Sequence, residues 1–227
     1  MPAFNTYPNP SLAVDLVIFG YHNTSLNVLL LNRKEEPFKN SWTLPGAFLK
    51  PEETFLQTCE RVLKTKLGLT AIYLEQLYSF DEPERDPRGR AISVSYYALI
   101  NPEKFSLVAG KMANDVQWFN TSELPKLGFD HDAIFQKALE RLKSKILYQP
   151  LGFELLDEEF TMTELHDLFE TILDVKLDRR NFRRKIIDAL YILPTGKKRQ
   201  GLQNRHPDLF RFNTRLKANS FHLNIDL

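Results

Sequence analysis

Four arginines crowd one short stretch of the chain, Arg179, Arg180, Arg183 and Arg184, with Asn181 and Lys185 among them. Apolar Phe182, Ile186, Ile187 and Leu190 recur at helical spacing through residues 179–191, which sends most of the cations to the opposite face. Asp178 is a good N-cap for that helix. A helix N-terminus already carries partial positive charge, so arginines gathered there oppose the dipole and repel one another. A phosphate-lined groove relieves both effects. Arginine matches guanine O6 and N7, asparagine matches adenine, and recognition helices reach base edges with their first residues. The chemistry these residues suit is recognition of duplex DNA. The competing reading is a solvated or partner-facing basic helix.

The surrounding elements fit the DNA reading. Thr163 is a good N-cap for a helix over residues 164–173, with Leu165, Leu168, Phe169 and Ile172 facing inward. A link over residues 174–177 joins it to the arginine-rich helix, as in a helix-turn-helix. Pro194-Thr195-Gly196 ends the second helix, and the strand-like Leu209-Phe210-Arg211-Phe212 closes a basic wing. The net charge of +1 conceals an asymmetry: residues 151–175 hold eight acidic side chains and no Lys or Arg. Residues 176–217 hold thirteen Lys plus Arg against three Asp. The predicted DNA contacts are Arg179, Arg180, Asn181, Arg183, Arg184, Lys185, Lys197, Lys198, Arg199 and Arg205. Wing cations hold phosphates and set register rather than read bases.

A second constellation lies in residues 45–69, PGAFLKPEETFLQTCERVLKTKLGL. Phe55, Leu56, Cys59, Leu63 and Leu67 share one helical face, and Gly68 sits where a C-cap belongs. The segment resembles the Nudix box, the loop-helix signature of nucleotide diphosphate hydrolases. Ala47 takes the first Gly position, Glu53 matches the first Glu, Arg61 matches the Arg, and Leu63, Gly68 and Leu69 match the end. Val62, Thr65 and Lys66 replace glutamates that in the family hold magnesium and so activate water. Glu60 precedes Arg61 by one residue, which turns it about 100° around the helix and away from the site. The resemblance therefore implies a Nudix-like α/β/α sandwich with a mixed sheet, no metal, no cofactor and no catalytic residue. Glu53 and Arg61 would persist as an ion pair.

The chain around the box agrees. Strands are predicted over residues 13–21 and 26–33, joined at His22-Asn23-Thr24-Ser25, and over 72–80, 92–100 and 115–119. An amphipathic helix is predicted over residues 130–147. Four further pieces occur in order: LYSFDEPERDPRGRAISVSY (77–96), FDHD (129–132), FTMTEL (160–165) and DRRNFRRK (178–185). Together they resemble the Nudix-related transcriptional regulators of the NrtR and AraR type, over residues 10–212. That family joins an N-terminal Nudix-like effector domain to a C-terminal winged helix. The resemblance implies an α+β fold with an effector-binding domain at 1–148 and a winged helix-turn-helix domain at 149–227, hinged at Gln149-Pro150-Leu151-Gly152. It also implies a homodimer on a palindromic double-stranded operator, released by a small-molecule effector.

For the effector, the degraded box resembles the L-arabinose-sensing AraR branch. A site without metal carboxylates has lost one grip on pyrophosphate, whereas a neutral sugar needs an aromatic platform and a few hydrogen-bonding groups. The candidate effector contacts are Asp15, Trp42, Glu53, Arg61 and Tyr96. The expectation is a repressor of carbohydrate utilisation responding to L-arabinose or a related pentose. The alternatives are an ADP-ribose sensor governing NAD metabolism, an active Nudix pyrophosphohydrolase, and a protein-binding adaptor. Arg85, Asp86, Arg88 and Arg90 are read as an ion-paired turn around Pro87 and Gly89 in preference to a grip on a phosphorylated ligand. His131 has no second histidine at ligand spacing, and Cys59 lies on an apolar helix face, so both are read as structural.

Composition bounds the rest. At 43% hydrophobic and 26% charged residues, the chain is of ordinary globular type. No apolar run approaches the roughly 18 residues of a membrane span. The N-terminus lacks the basic and apolar regions of a secretory signal, and the single Cys59 forms no internal disulfide. A cytoplasmic protein is expected.

Overall fold

The computed structural model describes residues 9–69, 72–104, 113–149, 154–200 and 206–213. Two compact units divide the chain. The first comprises Met1–Phe19, Asn27–Ala98 and Phe105–Ala138, and the second Gly20–Leu26, Leu99–Lys104 and Leu139–Leu227.

A seven-stranded sheet runs in the order β3-β2-β1-β6-β5, with β4 on β1 and β7 on β2. Its strands are β1 Ser11–His22, β2 Ser25–Arg33, β3 Trp42–Thr43, β4 Gly46–Phe48, β5 Leu74–Phe80, β6 Ala91–Ile100 and β7 Ala113–Asn120. Val14 to Phe19 of β1 and Tyr97 to Ile100 of β6 are buried without alternation, as expected of central strands covered on both faces. Asn23 and Thr24 turn the β1–β2 hairpin with positive φ at both positions, the geometry that matches strand twist.

Helix α1 (Phe55–Val62) begins in a capping box, with Thr54 and Gln57 each bonding the other's backbone N–H. The predicted single helix instead widens into a π-helical turn over Leu63–Leu67. Gly68 then ends it at φ 70°, the left-handed cap that glycine favours. Helix α2 (His131–Lys145) follows the last strand of the sheet and buries Ile134, Phe135, Ala138 and Leu142.

The second unit carries a winged helix. Strand β8 (Phe160–Thr161) leads into α3 (Met162–Leu173) and α4 (Arg179–Asp188), followed by β9 (Ile192–Lys198) and β10 (Asp208–Phe212) in a sheet of order β8-β10-β9. Phe169, Phe182, Tyr191 and Phe212 form its aromatic core, with ring centroids 5.1 to 6.2 Å apart along the chain of contacts.

Three sequence expectations change here. The N-cap of α3 is Thr161, not Thr163, because only Thr161 has a glutamate at N3 to close a capping box. Helix α4 stops at Asp188, and Tyr191 leaves the helix to enter the core. Pro194-Thr195-Gly196 lies within β9 rather than ending a helix. Proline is tolerated there because β9 is an edge strand and needs no N–H on its open side. Residues 150–152 of the expected hinge lie outside the described residues.

Candidate functional site

A cavity of about 250 Å³ opens in the first unit between β1, the end of β2, the β3–β4 corner and the β5–β6 loop. Its walls include Arg33, Lys66, Arg85 and Arg88, with Phe48 and Phe129. Arg88 is fixed on two sides. It pairs with Asp86 at 2.6 Å, and its guanidinium stands over the rings of Phe48 (5.0 Å) and Phe129 (5.7 Å). Arg33 stacks over Phe129 at 5.0 Å and donates from Nε to the Pro37 carbonyl. Hydrogen bonding from Arg88 holds the Asp86 carboxyl below its ordinary range. The β5–β6 loop is thus an ion-paired turn, as expected, yet its Arg85 and Arg88 also face the cavity.

Beneath the cavity lies a buried polar network. Asp15 accepts from Ser93 Oγ at 2.7 Å and from Arg85 at 3.1 Å, and His131 Nε2 lies 3.4 Å away. Arg85 also pairs with Asp130 at 2.7 Å. His131 Nδ1 accepts the Leu44 N–H at 2.8 Å, which leaves the neutral ring's proton on Nε2, toward Asp15. Burial alone would raise the Asp15 carboxyl. His131, Arg85 and Ser93 outweigh it and hold the group well below the usual carboxylate range. Gly46 is required above this network, because a Cβ there would meet Asp15 Oδ1 and lie 2.6 Å from the Val14 carbonyl.

Of the five effector contacts named from sequence, Asp15 lines this cavity. Glu53 and Arg61 instead bond each other, at 2.6 and 2.7 Å, and Arg61 also donates to the Phe48 carbonyl. Arg61 lowers the Glu53 carboxyl to about 2. Trp42 stands edge-on to Phe119 at 4.7 Å. Tyr96 is buried, with its hydroxyl 3.5 Å from Gln76 Oε1. Cys59 is fully buried, which pushes its thiol up to about 12. Sequence reading missed Arg33, Phe48 and Phe129, which carry no motif of their own. Lys66 was legible as a cation at a metal-ligand position.

On α4, the side chain of Asp178 caps the Asn181 N–H at 2.8 Å. Arg179, Arg180, Arg183 and Arg184 are exposed. Among the described residues no carboxylate lies within salt-bridge distance of any of the four. Arg184 donates to Asn181 Oδ1 at 2.8 Å, and Arg183 stands over Phe210 of β10 at 5.9 Å. The wing cations differ. Lys197 pairs with Glu159 and Arg199 with Glu164, while Lys198 is exposed. Arg205 lies outside the described residues. The link between the two helices is pinned by Glu170, which accepts the Leu177 N–H and the Lys176 ammonium, and by His166 Nε2 at 3.0 Å from the Leu177 carbonyl. That Leu177 hydrogen bond chiefly lowers the Glu170 carboxyl.

Comparison with known proteins assigns both parts. The NUDIX domain family matches residues 9–138, and the NrtR DNA-binding winged helix domain family matches residues 152–212. The chain is 34% identical over 211 residues to the ADPR responsive transcriptional repressor NtrR of Acinetobacter baylyi, spanning 91% of this chain and 83% of that protein. This chain belongs to the NrtR-type family of Nudix and winged-helix regulators. Shewanella oneidensis NrtR complexed with a 27mer DNA is 33% identical to this NrtR-type chain, with a TM-score of 0.76 over 95% of this chain and 99% of that one. The NUDIX domain of the same regulator complexed with ADP ribose matches at 33% identity and a TM-score of 0.57, over 62% of this chain and 94% of that one.

These relatives correct one expectation. L-arabinose or a related pentose as effector, control of carbohydrate utilisation, and kinship to the AraR branch are overturned by relatives that respond to, or hold, ADP-ribose. The physical reason lies in the NrtR-type cavity. Loss of the magnesium carboxylates suggests loss of phosphate binding, yet Arg33, Lys66 and Arg88 bring positive charge to the wall directly.

Proposed function

We propose that the chain is an ADP-ribose-responsive repressor that binds duplex DNA and governs genes of NAD metabolism, without Nudix hydrolysis. Residues 1–148 sense the ligand and residues 149–227 bind DNA. It works in the cytoplasm as a homodimer on a palindromic operator. The observation that carries this reading is the cavity: four cations and the rings of Phe48 and Phe129 line it, in a Nudix domain related to one that holds ADP-ribose. Cations suit the diphosphate, and aromatic rings suit the adenine or ribose faces. Arg33, Lys66, Arg88, Phe48 and Phe129 are the proposed ligand contacts, and Asp15 positions Arg85 beneath them.

On DNA, the four arginines of α4 with Asn181 and Lys185 form the proposed reading face, and Lys198 meets phosphate. Lys197 and Arg199 join only if they leave Glu159 and Glu164. A calorimetric titration tests the ligand assignment. ADP-ribose is expected to bind and to remain intact in the presence of magnesium. Absence of heat with ADP-ribose, or its hydrolysis, would refute the reading.

A further inference from the structure

The Nudix signature carries glutamates at the positions of Val62, Thr65 and Lys66, where the family's magnesium would be held. In this chain the donor set does not fit that ion. Val62 is fully buried, and the Thr65 hydroxyl donates to the Arg61 carbonyl at 2.7 Å. Both oxygens of Glu53 are engaged by Arg61. The Lys66 ammonium lies 2.5 Å from the Gly46 carbonyl at the cavity wall, where it would repel a divalent cation.

Lys66 is also an unneutralised charge. Among the described residues no carboxylate reaches it within salt-bridge distance, and its one hydrogen bond to them goes to that carbonyl. An ammonium has three donors, so two remain for a ligand. Burial, and next the charge of Arg33, lower its proton affinity and outweigh the attraction of Asp15. The acidic groups of the wall do not supply one. Asp15 is committed to Arg85 and Ser93, Asp86 is committed to Arg88, and Glu35 and Glu36 are exposed.

We infer that the Lys66 ammonium takes the place of the metal, so that this cavity grips the diphosphate of a nucleoside-diphosphate ligand without any divalent ion. The inference rests on the ADP-ribose reading of the same cavity. With Lys66 on the Gly46 carbonyl and Arg88 braced by Asp86 and Phe48, two fixed cations face the two charges of a diphosphate diester. A tethered ammonium offsets one charge of the diphosphate yet carries no water to activate, so the ligand is held and not cleaved.

Calorimetry on the full chain tests this with ADP-ribose, ADP and inorganic diphosphate, each in EDTA and then with magnesium. ADP-ribose affinity is expected to be the same in both buffers. Lys66→Gln is expected to weaken it by about 10- to 100-fold, the range of one lost charged hydrogen bond. Lys66→Arg should keep most of the affinity. Melting of the unliganded variants confirms that each is folded. Binding that requires magnesium overturns the inference, as does a folded Lys66→Gln with wild-type affinity. If Lys66→Gln does not fold, the comparison of EDTA with magnesium on the wild type decides alone. Lys66-dependent binding of ADP and diphosphate without ADP-ribose binding would refute the ADP-ribose reading and leave the inference standing. Binding of none of the three would remove both.

Discussion

Glu164 holds Arg199 with both carboxylate oxygens, at 2.8 and 2.7 Å, while the same group accepts the Thr161 N–H at 2.7 Å. One side chain thus closes the capping box of α3 and ties the residue that follows β9 to it. Lys197 is likewise engaged with Glu159. Among the described residues, part of the wing's charge is neutralised internally, whereas Arg179, Arg180, Arg183 and Arg184 of α4 have no carboxylate within salt-bridge distance.

Glu164→Ala removes half of the capping box and the partner of Arg199. The expected loss of stability is about 1 kcal/mol, the usual worth of a cap plus a half-exposed ion pair. Urea unfolding at constant slope measures it. An unchanged midpoint would show that neither contact matters.

Replacing Arg179, Arg180, Arg183 and Arg184 together by Gln should weaken duplex binding and flatten its salt dependence. Each phosphate contact contributes about 0.9 to the slope of log K against log salt, so the slope should fall by up to roughly 3.6. Lys197→Gln should change it far less, because that cation already has a partner. Equal salt slopes for the quadruple variant and the wild type would remove α4 from the DNA interface.

Arg85→Leu leaves the buried Asp15 and the half-buried Asp130 without their shared guanidinium. Breaking a buried pair by removing one partner costs about 3–5 kcal/mol. Denaturant unfolding of the variant should show a loss of that order. A loss below about 1 kcal/mol, the worth of a surface pair, would mean that water reaches Asp15.

The Glu53–Arg61 pair gives a pH signature. Glu53 titrates near 4.5 when unfolded and at about 2 when folded. The depressed carboxyl contributes stability that is complete above about pH 4.5 and disappears as pH falls through about 2. The difference in melting temperature between wild type and Arg61→Gln should therefore be largest at neutral pH and shrink across that window. A difference constant from pH 7 to pH 2 would rule out the pair as its source.

Strands β1, β2 and β6 were legible because their apolar runs are long, and α4 because Asp178 and the spacing of Phe182 and Ile186 agree. The Glu53–Arg61 pair was legible because the box fixes both positions. The cavity was not. Arg33, Phe48 and Phe129 come from three separate loops and strand ends, and no local pattern relates them. Effector chemistry was misread because the charge of Lys66 reads from sequence as an obstacle to magnesium, whereas the structure brings it to the cavity wall beside Arg33 and Arg88. The Thr161 cap was missed although Thr161-Met162-Thr163-Glu164 has the capping-box spacing.

Coupling of ligand to DNA is measured most directly by fluorescence anisotropy of a labelled duplex from the chain's own upstream region, titrated with the protein at fixed ADP-ribose. ADP-ribose at saturation is expected to weaken duplex binding by about 5- to 150-fold, the usual range of an allosteric coupling. L-arabinose at the same concentration should leave the curve unmoved. Identical DNA affinity with and without saturating ADP-ribose would contradict an ADP-ribose-responsive repressor.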